Sequence, residues 1–307
     1  MEVCKLVDVC LLGTGGMMPL PNRWLTALLI RVSGKMTLID CGEGTQIPIK
    51  LAGWGFKAID AICFTHYHAD HIVGLPGLLL TMGNSGREEP LSIYGPPGLI
   101  EVIKGITVVA PQLPFEIKLF ELSIDHLVTT SIGDIKIQSI PGDHAVPCLS
   151  YSIEIKRAGK FDVQRAKGAG IPVQFWSRLQ KGETIEFDGS IYTPNMVLGE
   201  QRKGLKISYC TDTRPIKSLV DFVQESDLLI CEGMYGEDDK IEKAIEKKHM
   251  TFSEAAMMAK SANVKELWLT HYSPSMDNPE DYQCNAKSIF DNSVLGRDLL
   301  TKTLVFE

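Results

Sequence analysis

The strongest chemical signal in the sequence is a group of histidine and aspartate residues between positions 66 and 71. Its pattern, His-x-His-x-Asp-His, is formed by His66, His68, Asp70 and His71. The pattern arises by chance in roughly 2 of 10,000 chains of this composition. Imidazole nitrogens and carboxylate oxygens are ligands for zinc and similar divalent metals in proteins. The spacing therefore predicts a metal site.

The position of this group along the chain favours two metal ions over one. It directly follows a strand-like run at 61–65. His66 and His68 are two residues apart, so they share a side of extended backbone. Asp70 and His71 lie beyond the following bend, and we expect them to face a second metal.

Three further candidate ligands also follow strand-like runs. His144, Asp212 and His271 come after runs at 135–140, 205–209 and 267–270. Open α/β sheets place their sites at strand ends, so these side chains are expected to join the first group. A polar turn or a single structural metal is the simpler interpretation, but one tetrahedral site leaves the later candidates unexplained. Five imidazoles and two carboxylates suit a pair of borderline metals, zinc first, with manganese or iron possible.

Two other histidines stand apart from this set. His249 precedes Thr251, Ser253 and Glu254 at a predicted helix start, and taken alone it is more typical of a surface histidine. His126 has no such neighbours. We expect it to be structural or exposed to solvent.

The elements that must position these residues alternate along the chain. Short apolar runs separated by helix-length segments favour a layered α/β architecture. Strands are predicted at 3–12, 25–32, 35–40, 61–65, 117–122, 135–140, 149–155, 205–209, 228–231 and 267–270. Helices are predicted at 97–104 and 251–261.

One segment, 156–181, has a different composition. It carries a formal charge of about +6, which leaves about −13 on the rest of the chain. Aromatic residues are interleaved with the charges, and glycines prevent a long helix. The segment is interpreted either as a solvated, irregular insertion or as an arm that binds a phosphate backbone. Its basic residues are Lys156, Arg157, Lys160, Arg165, Lys167, Arg178 and Lys181.

Length and composition exclude several classes of protein. The chain has 307 residues, of which 44% are hydrophobic and 22% charged, so it can form a full core as one large α/β domain or two smaller ones. No apolar run approaches the roughly 20 residues that span a bilayer, and we expect no secretory signal. The eight cysteines form no C-x-x-C pair, which predicts free buried thiols in a reducing cytoplasm. A net charge of −7 argues against broad, nonspecific binding of nucleic acid.

The residues that carry the chemistry resemble the metallo-β-lactamase fold superfamily and, more narrowly, the ribonuclease Z family of tRNA 3′-processing endonucleases. The similarity extends over essentially the whole chain. Gly74-Leu-Pro-Gly-Leu78, Glu43-Gly-Thr-Gln46 and His249 before a helix support the narrower assignment. The other matching segments are 11–15, 38–42, 64–71, 143–148, 212–215 and 269–273.

This resemblance implies a fold and a set of ligands. The fold is a four-layer αββα sandwich, with one domain over 1–307 and a protruding basic arm inserted at about 156–203 that binds the substrate. Two zinc ions per subunit are implied, with manganese or iron possible. One is bound by His66, His68 and His144, the other by Asp70, His71 and His271, and Asp212 bridges them.

The resemblance also implies an activity and partners. The chain is expected to be a cytoplasmic, zinc-dependent endoribonuclease that removes the 3′ trailer from precursor tRNA and leaves a 3′-hydroxyl. Asp70 would accept a proton from the attacking water, and His249 would protonate the leaving oxygen. A homodimer is implied in which the arm of one subunit serves the site of the other, with no membrane partner.

Two other functions are compatible with the residues. The first is a dinuclear-metal hydrolase or phosphodiesterase that acts on a small-molecule ester, and the second is a non-catalytic protein that binds nucleic acid. The chain departs from the family at the arm tip, Val173 to Trp176, and in the loop that contains Pro21 and Trp24. Both departures concern how tRNA would be held.

Overall fold

The computed structural model describes residues 6–133, 135–200 and 202–306. They form two compact units. The first comprises the described residues up to 154 and from 206 to 305, and the second comprises those of 155–205 together with Phe306. None of the described helices is long and apolar enough to cross a membrane.

The first unit is built on two mixed sheets of seven strands. The strands of the first sheet are β1 (Val7–Gly13), β2 (Ala27–Val32), β3 (Lys35–Ile39), β4 (Ile59–Cys63), β5 (Leu91–Gly95), β6 (Ile117–Glu121) and β16 (Leu300–Leu304). Those of the second are β7 (Val128–Ile132), β8 (Ile135–Pro141), β9 (Leu149–Arg157), β12 (Arg202–Cys210), β13 (Leu228–Glu232), β14 (Leu267–Thr270) and β15 (Ser293–Leu295). Their spatial orders are β16-β1-β2-β3-β4-β5-β6 and β15-β14-β13-β12-β9-β8-β7.

Helices connect the strands of both sheets. Those of the first unit are α1 (Gln46–Ala52), α2 (Ala69–Ile72), α3 (Leu75–Asn84), α4 (Leu99–Ile106), α7 (Lys217–Val223), α8 (Ile241–Lys247), α9 (Phe252–Ser261) and α10 (Gln283–Lys287). Those of the second unit are α5 (Val163–Gly168) and α6 (Val173–Gln180). The predicted strands and the two predicted helices are all present, with shifted ends, and positions 3–5 of the first predicted strand lie outside the described residues.

Two apolar cores attach the helices to the sheets. Ile49 of α1, Leu78 of α3 and Ile103 of α4 pack with strand residues of the first sheet. Phe222 of α7 and Ala256 of α9 belong to the corresponding core of the second sheet. Because most strand residues are buried on both faces, the central strands consist of nearly continuous apolar residues. The predicted αββα sandwich is confirmed.

The second unit has its own core and regular structure. Helices α5 and α6 and the hairpin formed by β10 (Ile185–Phe187) and β11 (Ser190–Tyr192) enclose the buried side chains of Phe175, Leu179 and Val197. Asp162 caps α5, because its carboxylate accepts the backbone N–H groups of Gln164 and Arg165. The segment is therefore not irregular, although six of its seven basic residues are exposed to solvent.

Candidate metal centre

The predicted ligands lie on loops at strand ends of the first unit. His66 and His68 follow β4, and Asp212 and His271 follow β12 and β14. Strands β12, β13 and β14 are parallel, so their carboxyl ends meet at one edge of the sheet. His144 joins them from the connection between β8 and β9.

Three buried residues at these ends adopt a left-handed backbone conformation. The φ angles are 60° at Asp40, 53° at Asp212 and 59° at His271. Such angles are uncommon for residues other than glycine and cost on the order of 1 kcal/mol each, so packing or function must maintain them. Here each one turns a side chain towards the cluster directly after a strand.

Four ligand atoms surround a point that we call the second metal position. They are Asp70 Oδ2, His71 Nε2, Asp212 Oδ2 and His271 Nε2. The two nitrogens are 3.2 Å apart, and each is 3.2 to 3.5 Å from both carboxylate oxygens. Tetrahedral zinc with ligand bonds of roughly 2.0 to 2.1 Å requires ligand separations of about 3.3 Å. The two nitrogens have separations of this size from each other and from each carboxylate oxygen, so together with either carboxylate they fit a zinc-sized divalent ion.

Three imidazoles form what we call the first metal position. His68 Nδ1 lies 2.9 Å from His66 Nε2 and 3.5 Å from His144 Nε2. Asp212 Oδ1 is 3.8 Å from the same Nε2 atoms of His66 and His144. Asp212 thus presents one oxygen to each metal position, which is the arrangement of a bridging carboxylate.

The electrostatics of the cluster favour a cation. Burial alone would lower the pKa of His71, but the carboxylates of Asp212 and Asp40 raise it well above its ordinary range. Burial raises the pKa of Asp212, but the surrounding imidazoles lower it well below its usual value. At His66, burial and then the neighbouring His71 lower the pKa, which favours the neutral imidazole that binds metals.

Neighbouring groups hold the ligands in their orientations. His71 Nδ1 donates to Asp40 Oδ2 at 2.9 Å, which leaves the Nε2 lone pair directed at the second metal position. The backbone N–H of Met17 donates to Asp70 Oδ2 at 2.6 Å. His144 Nδ1 donates to the carbonyl of Lys248 at 3.3 Å, so its Nε2 faces the first metal position.

His249 lies at the edge of the cluster, although the sequence alone placed it only near a helix start. Its Nδ1 is 2.9 Å from Glu232 Oε2 and 3.8 Å from Asp212 Oδ1. Burial lowers the pKa of His249, but the buried Glu232 carboxylate outweighs this effect and raises the pKa to about 9. Glu232 also accepts the backbone N–H groups of Thr213 and Met250.

Three residues that support the site were not identified from the sequence. Asp40 follows β3 directly, Glu232 ends β13, and Arg214 lies two residues after Asp212. The signal was available for the two acids, because the strand-end rule that selected His271 applies equally to them. None was selected, because no motif marks a residue that contacts a ligand without contacting the metal.

The seven predicted substrate-binding residues all belong to the second unit. Six of them are exposed, and Arg157 is half-buried. Arg178 forms an ion pair with Glu183 at 2.7 Å, and the guanidinium of Arg157 lies over the ring of Phe306. His126 is exposed and close to Ser123, away from the metal cluster.

The fold and the ligand geometry define a metal-dependent hydrolase of the metallo-β-lactamase fold. Residues 154–272 match the family model described as a beta-lactamase superfamily domain, and residues 7–161 match the model for the anti-Pycsar protein Apyc1. The metallo-beta-lactamase fold protein YhfI from Bacillus subtilis superposes with a TM-score of 0.69 at 20% identity, over 98% of this chain and 100% of that chain.

Full-length relatives define the family more closely. Ribonuclease Z of Clostridium acetobutylicum is 56% identical over 98% of this chain and 99% of its own length. Ribonuclease Z of Lachnoclostridium phytofermentans is 55% identical over the same shares. Human tRNase Z, short form, superposes with a TM-score of 0.68 at 26% identity, covering 96% of this chain and 98% of that chain. The chain belongs to the ribonuclease Z family.

Proposed function

We propose that this chain is a tRNA 3′-endonuclease that hydrolyses one phosphodiester bond of precursor tRNA, removes the 3′ trailer and leaves a 3′-hydroxyl. The observation that carries the proposal is the position of Asp212, which has one carboxylate oxygen at each of two adjacent metal positions. Family membership supplies the substrate class. The protein is expected to work in the cytoplasm, with zinc in both positions and manganese or iron as alternatives.

In the proposed mechanism, the seven residues predicted from the sequence act as the metal ligands. His66, His68 and His144 would hold one ion, Asp70, His71 and His271 the other, and Asp212 both. Two divalent ions would lower the pKa of a water nucleophile and neutralise charge on the phosphoryl oxygens.

Asp70 is the proposed acceptor of the proton from the attacking water. Its Oδ2 is held by the N–H of Met17 and lies 3.4 Å from His271 Nε2. Coulombic and hydrogen-bond contacts with His71 and His271 oppose the effect of burial and keep the pKa of Asp70 far below its usual range. The carboxylate is therefore ionised and fixed in place, but it is a weak base, so it would accept a proton only from a water that two divalent ions would make acidic.

His249 is the proposed general acid. The leaving group in RNA cleavage is a ribose 3′-alkoxide, which is unstable unless it is protonated. Glu232 holds Nδ1 of the imidazole at 2.9 Å and stabilises its positive form. That geometry fixes the ring at the edge of the metal cluster, where it can donate a proton to the departing oxygen.

The second unit is the proposed substrate-binding arm, at about 156–203 of the single domain. Its exposed lysines and arginines lie on a small packed core, so their charges are presented by a defined structure. Contacts between cations and phosphates dominate nucleic-acid affinity and weaken with salt. An arm of this kind reconciles a net charge of −7 with a polyanionic substrate.

A homodimer is the proposed assembly, formed through an apolar surface on α1 and α3. The exposed side chains Ile47 and Leu51 lie one turn apart on α1, and Leu80 is exposed on α3. The two helices are neighbours, since a Cβ added at Gly77 would lie 3.1 Å from the side chain of Gln46. Clustered apolar side chains on a surface mark interaction sites. Leu51→Glu should produce a monomer in sedimentation analysis, and Ile245→Glu on α8 should not.

Cleavage of a defined precursor tRNA, with both product ends sequenced, tests the proposed function. The expected products are a trimmed tRNA with a 3′-hydroxyl and a released trailer. A protein that hydrolyses only small esters such as bis(p-nitrophenyl) phosphate would contradict the proposal. Stoichiometric metal without hydrolysis of any phosphoester would instead support a non-catalytic binding protein.

The role of the arm is tested by removing charge without disturbing its core. Replacing Lys156, Lys160, Lys167 and Lys181 by glutamine should weaken precursor tRNA cleavage and its dependence on salt, and spare bis(p-nitrophenyl) phosphate. The matched control replaces four exposed lysines of the first unit, which are Lys104, Lys118, Lys260 and Lys287. Equal losses with both sets would contradict a specific role for the arm.

A further inference from the structure

Arg214 is a charged residue placed deep in the loop that carries the bridging aspartate. It follows Asp212 by two residues, and its backbone N–H donates to the carbonyl of Asp143 at 3.1 Å. Its side chain is only 15% exposed. A guanidinium removed from water to this extent must be compensated by specific partners.

The guanidinium has two partners on the segment that leads from His249 into α9. Both terminal nitrogens contact the carboxylate of Glu254, with Nη1 at 2.9 Å from Oε2, and Nη1 also donates to the backbone carbonyl of His249. Bidentate contacts of this type fix the relative orientation of the two groups and add binding energy, because the guanidinium and the carboxylate are both planar.

Glu254 connects this contact to the start of the helix. Its Oε2 accepts the N–H of Thr251 at 3.0 Å, and the Thr251 hydroxyl accepts the N–H of Glu254 at 3.2 Å. This reciprocal pair is a capping box that fixes where α9 begins. Arg214 therefore ties the loop after β12 to a rigid helix end.

His249 is consequently held from two sides. Glu232 contacts the imidazole through Nδ1, and it also binds the N–H of Thr213, the neighbour of Arg214. The backbone N–H of His249 donates to the carbonyl of Ala244 at 2.9 Å. The bond from Arg214 holds the other side of this residue, at its carbonyl.

We infer that Arg214 is a positioning residue that sets the orientation of His249 for proton donation to the leaving oxygen. The inference rests on the proposed role of His249. Lysine cannot replace this residue fully, because one ammonium group cannot reproduce a planar fork on Glu254 together with a bond to the carbonyl of His249. Displacement of a catalytic group by about 1 Å can cost on the order of 100-fold in rate.

The test compares two leaving groups. Bis(p-nitrophenyl) phosphate releases a stable phenolate that needs no proton, whereas precursor tRNA releases an alkoxide. Arg214→Gln should lower kcat for precursor tRNA by about 10- to 100-fold, with KM within about threefold, and change the small-ester rate by less than about threefold. Arg214→Lys should recover part of the loss. General damage to the site would lower both rates together and would overturn the inference.

Two further variants keep the result interpretable. Glu254→Gln removes the ion pair but retains a capping box, since glutamine serves at that position, so it should reproduce the Arg214→Gln effect even if the latter fails to fold. Arg31→Gln, in β2, removes a two-bonded contact with Asp8 of β1 and should leave the ratio of the two rates unchanged. A Glu254→Gln variant whose ratio of precursor tRNA cleavage to small-ester hydrolysis equals that of the wild type would overturn the inference.

His249→Ala separates this inference from the proposed function. If His249→Ala loses precursor tRNA cleavage but keeps small-ester hydrolysis, and the Arg214 and Glu254 variants do not, the positioning role is wrong and His249 is still supported as the general acid. If His249→Ala loses both activities equally, or neither, the general-acid assignment fails and the inference fails with it.

Discussion

Exchange of one oxygen for an NH2 group at Asp40 is expected to expel metal from the second metal position. Asp40 is fully buried, and its Oδ2 accepts the proton of His71 Nδ1 at 2.9 Å. Its Oδ1 accepts the N–H of Thr65 at 2.8 Å. In Asp40→Asn, which preserves shape and volume, the remaining oxygen is required by Thr65, so the NH2 group faces His71.

The consequence is a change of tautomer at His71. A donor opposite Nδ1 requires a lone pair on that atom, which moves the imidazole proton to Nε2. Nε2 lies 3.2 Å from Nε2 of His271 at the second metal position, where a proton blocks coordination. Loss of an outer partner of a metal-binding histidine typically costs 10- to 100-fold in affinity, or about 1.4 to 2.7 kcal/mol.

Competition with a chelator, followed by elemental analysis of the metal retained per chain, measures this affinity. Asp40→Asn should retain less metal at every chelator concentration, with the loss confined to one of two ions. Asp60→Asn is the matched control, because Asp60 makes a partly exposed ion pair with Lys35 on β4 and β3. Metal affinity of Asp40→Asn within about twofold of the control would refute the tautomer argument.

Three further outcomes follow from the geometry. Glu232→Gln should lower the rate of precursor tRNA cleavage by about 100-fold and leave hydrolysis of bis(p-nitrophenyl) phosphate unchanged, because it removes the charge that stabilises protonated His249. A variant that cleaves precursor tRNA at the wild-type rate in a single-turnover assay would contradict this. Gly16→Ala should weaken metal retention, because the added Cβ would lie 2.8 Å from the ring of His271, whereas Gly105→Ala meets nothing within 4 Å and should retain metal normally. Acidification should release metal, because the imidazoles take up protons. Elemental analysis after dialysis from pH 7 to about pH 5 measures this release. Unchanged metal content over that range would argue against histidine ligands.

The sequence predicted ten of the sixteen described strands, most of which are largely buried, and missed β5, β7, β10, β11, β15 and β16. Leu228 to Cys231 of β13 and Leu267 to Leu269 of β14 are short, uninterrupted apolar runs, and such runs are typical of strands covered by helices. Helices were harder to predict. The segment that forms α3, Leu75–Asn84, has buried residues on one face but is apolar over most of its length, so no helical period stands out.

The candidate ligands were also predictable, because they follow strand ends in a sheet with parallel segments. The structure brings all seven together, and their individual roles as metal ligands remain a prediction. Residues that act through a neighbour could not be found in this way. Arg214 and Glu254 are 40 positions apart, and only the folded chain places the guanidinium against both that carboxylate and the carbonyl of His249.

The helices of the second unit were missed for a different reason. Their glycines and a proline read as interruptions of regular structure, and α5 and α6 are only 6 and 8 residues long. Isolated helices of that length are marginal in water, so they depend on the small core formed with the hairpin. Such tertiary support is absent from local sequence patterns.

Anomalous diffraction at the zinc edge from crystals of the zinc-loaded protein tests the central claim most directly. Two peaks are predicted roughly 3.5 to 4 Å apart. One should lie among His66, His68 and His144 and the other among Asp70, His71 and His271, with one Asp212 oxygen bound to each. A single peak, or two peaks of which either lacks Asp212 as a ligand, would contradict a centre that holds two bridged metal ions.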